Sequence, residues 1–414
     1  MRKQSKIWCA LLIVLVALAA SGCAGNGPAE GYSSDVGGAT SPPDISPGTA
    51  AASESNVDEP TTGNETTTEP VKESEADVIH GPITALRLAD DKIGWIGGEG
   101  WVARTDDGGA TWRNQLESRF TVDQLFALND QLVWASLRTG DEQPLKLMHS
   151  TDGGESWTET GTVPAPGFFH FVSAKEAFSD NAHTVDGGKT WTMIPVPKST
   201  VGAPYFHDKD HGWAVTAEHE GSFDIIRTTD GGQSWHVVMS RDSDAPLNGA
   251  LIRSAGKDDA WVQLIGDSGM TQTSYSLFHL GKDGKWLPVL AHDGAGSGPA
   301  PGYAIGEKPG VPKGSGTSPG ALYVVDPQTA WMGGQCMACD DANTLGKTTD
   351  GGATWTELND SWPGYGDQLL AATDADHVWL LTNDADAPAR LYTSDDGGAS
   401  WQNVYTFEAN RQSE

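Results

Sequence analysis

Residues 228–235 read TTDGGQSW, and five further stretches repeat the pattern: TDDGGATW (105–112), STDGGESW (150–157), TVDGGKTW (184–191), TTDGGATW (348–355) and SDDGGASW (394–401). The aspartates at the third position, Asp107, Asp152, Asp186, Asp230, Asp350 and Asp396, are separated by 45, 34, 44, 120 and 46 residues. The gap of 120 asks for one more member, and GKDGKW (281–286) fits there as a shortened copy that keeps Asp, Gly and Trp. A repeat of about 45 residues with strand signals is the length of a propeller blade of four antiparallel strands.

Each unit carries a second marker upstream of its box: Trp95, Trp134, Phe178, Trp213, Trp261, Trp331 and Trp379, each after a short polar turn. Box and marker together account for thirteen of the sixteen tryptophans, so the repeat sets the Trp content. In the fourth unit VGAPYF, GWAVTA, DIIRTT and SWHVVM read as strands a to d. The expected fold is all-β: a seven-bladed β-propeller of four-stranded antiparallel blades with Asp-box hairpins, over residues 79–414.

The pattern S/T-x-D-x-G-x-T/S-W resembles the Asp box, or BNR repeat, of sialidase-like propellers. Its spread over seven units, with a Gly-Trp-like strand before each box, is most similar to the photosystem II assembly-factor family and its relatives. That resemblance implies a protein- or peptide-binding assembly module without catalysis. Sialidases and xyloglucanases share the box, so a glycan-binding protein or a glycoside hydrolase stands as the alternative.

The box has a structural rationale. Its Gly pair supplies positive φ in a c–d hairpin, and the carboxylate accepts turn N–H groups. Trp112, Trp157, Trp191, Trp235, Trp355 and Trp401 then open strand d and pack between blades. A repeated catalytic centre would need six equivalent sites on an outer rim, which no mechanism requires. These aspartates and tryptophans are therefore read as scaffold.

The N-terminus is a targeting segment. MRKQSK is a basic n-region and IWCALLIVLVALAA an apolar stretch of export-signal length. The following Ala20-Ser21-Gly22-Cys23 resembles a bacterial lipobox, which implies cleavage after residue 22 and lipidation of Cys23. Residues 23–78 are Ser/Thr/Pro/Gly-rich and acidic, and read as a disordered tether. The expected location is the cell membrane, lipid-anchored on the extracytoplasmic side. Formal charge is −30, and no basic cluster stands out, which excludes nucleic acid as the natural partner. A monomer is expected, with no cofactor and no metal.

In an antiparallel blade the a–b and c–d turns share one face, while the b–c and d–a connections share the other. The second set is the variable one: 138–145, 217–224, 265–276, GGQCMACDDANT (333–344) and a Gly/Pro-rich insertion from about Ala291 to Gly320. Binding residues concentrate on such loops, so this face is the expected recognition surface. Cys336 and Cys339 form CxxC with no second pair to complete a zinc site, and read as a small disulfide. HDKDH (207–211) reads as a solvated a–b turn. Trp362 and Tyr365 are binding candidates on a d–a connection. Arg87 and Arg253, on innermost strands, are channel candidates, and no arginine triad of the sialidase kind is found.

Overall fold

In a computed structural model the described residues are 79 and 81–408, apart from 141–143, 165–166, 218, 220, 338, 340–342, 365 and 385–386; residues 359–361 are described by their backbone only. The signal segment, Cys23, the tether and Tyr365 lie outside them. Every regular element is a strand, and all pairings are antiparallel.

The first sheet holds six strands in sequence order: β1 (Ile83–Leu88), β2 (Gly94–Thr105), β3 (Arg113–Ala127), β4 (Val133–Arg138), β5 (Leu145–Ser150) and β6 (Thr158–Val163). Five four-stranded sheets follow. They are β7 (Phe169–Phe171), β8 (Ala177–Ser179), β9 (Ala182–Thr184) and β10 (Thr192–Met193); β11 (Tyr205–Phe206), β12 (Gly212–Thr216), β13 (Ser222–Thr228) and β14 (His236–Asp242); β15 (Gly249–Arg253), β16 (Trp261–Ser268), β17 (Thr273–Leu280) and β18 (Trp286–His292); β19 (Ser318–Val324), β20 (Ala330–Gln335), β21 (Asn343–Thr348) and β22 (Thr356–Trp362); and β23 (Gln368–Ala372), β24 (Val378–Thr382), β25 (Arg390–Ser394) and β26 (Gln402–Thr406).

The propeller therefore has six blades, five of four strands and one of six, which corrects the expectation of seven separate blades. The first two repeat units share a sheet because β3 is continuous. Its first residues pair with β2 (Arg104 with Arg113) and its last with β4 (Ala127 with Val133). The segment RNQLESRFTVDQLFA contains neither Gly nor Pro to break the ladder. Other unit junctions carry PAPG (164–167), DAPLNG (244–249) and PGYG (363–366), and there the sheets separate. Within β2, Gly94–Gly98 pair with β1 and the residues from Glu99 on pair with β3, and Gly100, with a φ of 90°, sits at the register shift between Glu99 and Trp101.

Burial grades outward along each blade. Second strands such as β12 and β24 are buried at every position, because neighbouring blades cover both faces. Outer strands such as β14 are mostly exposed. The apolar cores sit between neighbours. One joins Leu88, Ile96 and Trp112 of the first sheet to Trp379, Leu381 and Leu391 of the last, which closes the ring. Asn383 reinforces that closure by bonding both backbone groups of Ile83, and the Glu408 N–H donates to Ile79 O at 3.2 Å.

Candidate functional site

The Asp boxes are alike at atomic detail. In the box at 228–235, Asp230 Oδ1 accepts the Ser234 N–H at 2.9 Å and the Thr228 hydroxyl at 2.8 Å, and Oδ2 accepts the Ser234 hydroxyl at 2.6 Å. Asp107, Asp152, Asp186, Asp350 and Asp396 repeat the set. Hydrogen bonds from the hydroxyl and N–H of the residue four positions on hold Asp152, Asp186, Asp230 and Asp396 down at about 2. Gly231 and Gly232 take φ of 70° and 81°, which a side chain would strain. Trp112 is fully buried, whereas Trp157, Trp191, Trp235, Trp355 and Trp401 are half-buried. The carboxylates are committed to their own turns. Among the described residues, no group of three or more His, Cys, Asp or Glu is placed to hold a metal ion.

A second regularity lies across the blades. In register with each marker aromatic stands the residue eight positions before it: Arg87 with Trp95, Phe126 with Trp134, His170 with Phe178, Tyr205 with Trp213, Arg253 with Trp261, Tyr323 with Trp331, Ala371 with Trp379. All but Ala371 line a central cavity of about 430 Å³, into which β1, β3, β7, β11, β15, β19 and β23 face. On the other side of the marker sits a cationic or imidazole side chain: His149, His183, Arg227, His279 or Lys347. Several reach the next unit, as does Arg104, whose guanidinium lies 5.0 Å from the Trp95 ring. Arg104 Nη1 donates to Asp130 O (2.9 Å) and Gly153 O (2.8 Å), while Lys347 Nζ donates to Ala375 O (2.7 Å) and Gly397 O (3.1 Å). In the unit with the shortened box, His279 does this through Nδ1 to Gly351 O at 2.8 Å, its Nε2 meeting Asp259 at 2.9 Å.

The cavity wall combines rings and positive charge. The Arg253 guanidinium lies 3.7 Å from the Phe168 ring centre, and that of Arg87 lies 4.3 Å from Phe126. His170 stacks on Tyr205 at 4.9 Å with the planes 4° apart. Burial pushes His170 down to about 3, outweighing its bond to Phe206 O, and the nearby Arg253 charge adds to the effect. Burial likewise lowers Arg253 to about 10 and raises Tyr205 to about 12. Among the described residues, the one carboxylate of the wall, Asp123, pairs with Arg138. Among the described residues, no carboxylate is bonded to Arg87 or Arg253.

The structure brings Arg87 and Arg253 into one cavity, and the sequence reading missed Phe126, His170, Tyr205 and Tyr323 beside them. The constant offset of eight from each marker would have found all four. These residues sit toward the a–b turn end of the innermost strands, away from the variable face. Trp362 departs from the sequence reading: it is the last residue of β22, 1% exposed, with its ring edge-on to Trp401 at 5.3 Å, so it offers no free face to a ligand. Cys336 and Cys339 are disulfide-bonded with Cα atoms 5.4 Å apart. In HDKDH, Asp208 accepts the N–H groups of Asp210 and His211, and so holds its own turn.

The 291–320 insertion packs back on the propeller. Its Tyr303 is buried with Ala291 and Ala300, Pro301 O accepts the Ser276 hydroxyl, and Gly302 N–H donates to Ser243. Met270 and Ile305 on this face are strongly exposed, and Met337 beside the disulfide is half exposed.

Fold and cavity together define an Asp-box β-propeller whose central channel is lined by arginines and aromatic rings. No protein-family model matches the chain. A curated relative is the photosystem II assembly lipoprotein Ycf48 of Synechococcus sp. (strain CC9902), 25% identical over 169 residues. The match spans 39% of this chain and 39% of the relative's length. Among solved structures, the GH74 xyloglucanase from Xanthomonas campestris is similar at a TM-score of 0.51 and 14% identity, over 78% of this chain and 54% of that one. YCF48 bound to D1 peptide is similar at 0.45 and 18%, over 72% and 89%. The likeness to the xyloglucanase concerns the fold alone.

Proposed function

We propose that this chain is a binding and assembly propeller, held at the extracytoplasmic face of the membrane through Cys23, which recognises a protein or peptide partner. The observation that carries the reading is the channel wall: two arginines without a carboxylate partner, set among aromatic rings, in a protein of formal charge −30. A pocket of this size with few convergent polar groups is a recognition site by its chemistry. Among the described residues, the wall carboxylate is Asp123, and its pairing with Arg138 favours binding over the paired-carboxylate chemistry of glycoside hydrolysis. The name of the Synechococcus relative, an assembly lipoprotein, agrees with both the binding and the anchoring parts of the proposal.

The test is affinity capture from membranes of the producing cell with three baits: wild type, R87Q/R253Q, and a variant with Met270, Ile305 and Met337 changed to Thr. Loss of a defined partner with R87Q/R253Q supports channel recognition, and loss with the rim variant moves the site to the variable face. An identical set of proteins from all three baits overturns the proposal. Replacing Cys23 with Ser is expected to release the protein from the membrane fraction.

A further inference from the structure

We propose that the seam between the last repeat unit and the first is a binding site for an alkylguanidinium or alkylammonium group, the chemistry at the end of an arginine or lysine side chain. This site is separate from the channel and does not depend on the function proposed above.

Elsewhere in the ring a side-chain donor clips one unit to the next. Lys347 stands opposite its marker Trp331, and its Nζ donates to Ala375 O at 2.7 Å and Gly397 O at 3.1 Å. Arg104 donates in the same way to Asp130 O and Gly153 O, and His279 Nδ1 donates to Gly351 O. The accepting positions are fixed in the repeat. Asp130 and Ala375 come four residues before the next markers, Trp134 and Trp379, while Gly153, Gly351 and Gly397 are the fourth residues of their boxes. In the first unit those positions are Asp91 and Gly108. The residue placed to serve them, opposite Trp379 in the last unit, is Thr393, whose side chain is too short to cross the seam.

A cavity of about 260 Å³ lies there instead, bordered by Asp91, Gly108, Trp379 and Thr393. The box glycines register the difference. A methyl group built on Gly153 would collide with Arg104 Nη1, and one on Gly397 with Lys347 Nζ. On Gly108 the nearest atom outside its chain neighbours would be Asp91 O, 4.0 Å away. Among the described residues, no donor is bonded to Asp91 O or Gly108 O. The exposed carboxylates of Asp91 and Asp395 border the same cavity, and neither forms an ion pair among the described residues. Asp107 is committed to its own turn through Thr111, and His377 is tied to Asp374 through Nδ1. Lys92 also borders the cavity, but its ammonium is bonded to neither carbonyl. A guanidinium or ammonium entering here meets the carbonyl pair that Arg104 and Lys347 satisfy at their own seams, with two carboxylates to favour its charge.

Two sources carry this group, a free small cation and a basic side chain of a polypeptide. The experiment is saturation-transfer NMR on the purified full chain with n-propylguanidinium, n-propylammonium, the neutral isostere n-propylurea, and the peptide acetyl-Ala-Arg-Ala amide. Both small cations are expected to bind saturably and at least about tenfold more tightly than n-propylurea, because a charged donor makes the stronger bond to a carbonyl. A peptide that binds about tenfold or more above n-propylguanidinium identifies a polypeptide side chain as the source, and equal or weaker binding identifies a small cation. The variants T393R and T393K supply the missing donor from within the chain. Each is expected to unfold at higher urea than wild type and to lose the binding of both cations. Silence from both cations, or n-propylurea binding as tightly as they do, overturns the proposal without any variant having to fold. Cation binding that persists unchanged in T393R and T393K also overturns it, since general attraction to an acidic surface would survive the substitution.

Discussion

Asn383 closes the ring on Ile83: its Oδ1 accepts the Ile83 N–H at 3.0 Å and its Nδ2 donates to Ile83 O at 2.8 Å, across 300 residues of chain. One side-chain amide here acts as a strand partner would, and Nδ2 also reaches Asp367 O at 3.1 Å. Asn383→Ala leaves buried backbone groups unpaired and is expected to cost on the order of 3 kcal/mol in denaturant unfolding. Asn383→Asp keeps the acceptor but sets a carboxylate oxygen against two carbonyls. It should destabilise at least as much at neutral pH, and a milder effect than Ala would refute the clamp.

Trp112 joins the same seam from the first sheet. Its ring is fully buried, lies 6.4 Å from Trp379 and 6.2 Å from Phe407, and bonds Gly109 O through Nε1 at 3.0 Å. Trp112→Ala should cost about 3 to 5 kcal/mol, measured as the shift in unfolding midpoint at constant slope. The same change at half-buried Trp235 should cost less.

The box aspartates make stability depend on acid. Asp152, Asp186, Asp230 and Asp396 are held at about 2 by their hydroxyl and backbone donors, below the ordinary carboxylate value of about 4. A depressed carboxylate contributes fully above its unfolded value and loses that contribution as pH falls toward the folded one. The melting temperature should therefore drop steeply between about pH 4 and pH 2. Asp230→Asn is expected to melt lower at pH 7 and to show a shallower acid slope. A parallel curve would refute the linkage.

Arg104 and Lys347 occupy equivalent slots and do the same work with different chemistry. Each lies over its marker ring, Arg104 5.0 Å from Trp95 and Lys347 4.7 Å from Trp331, and each bonds two carbonyls of the following unit. Arg104→Ala should cost roughly 2 to 4 kcal/mol through two unmade bonds and a lost cation–π contact. Arg104→Lys should recover at least half of it in the same denaturation measurement, because Lys347 in the equivalent slot shows that an ammonium reaches.

Much of this molecule was legible one residue at a time. The box aspartates could be assigned to their turns because every partner lies within four positions along the chain, so local geometry alone satisfies them. The channel layer was legible in principle, since strand register converts a sequence offset of eight into a shared row, yet only its two arginines stood out by charge. Trp362 was misplaced because its burial depends on Trp401, a residue of the next blade.

The chain's own order of residues determined the hairpins, the marker rows and the all-β repeat, since turn chemistry and alternation act over a few bonds. Tertiary structure alone decided that β3 would run unbroken and fuse the first two units, that the 291–320 insertion would fold onto Ser243 and Ser276, and that Arg87 and Arg253 would line one cavity. Those outcomes rest on contacts between residues far apart in sequence. Packing and electrostatics act through space, and only the closed ring brings such residues within reach of one another.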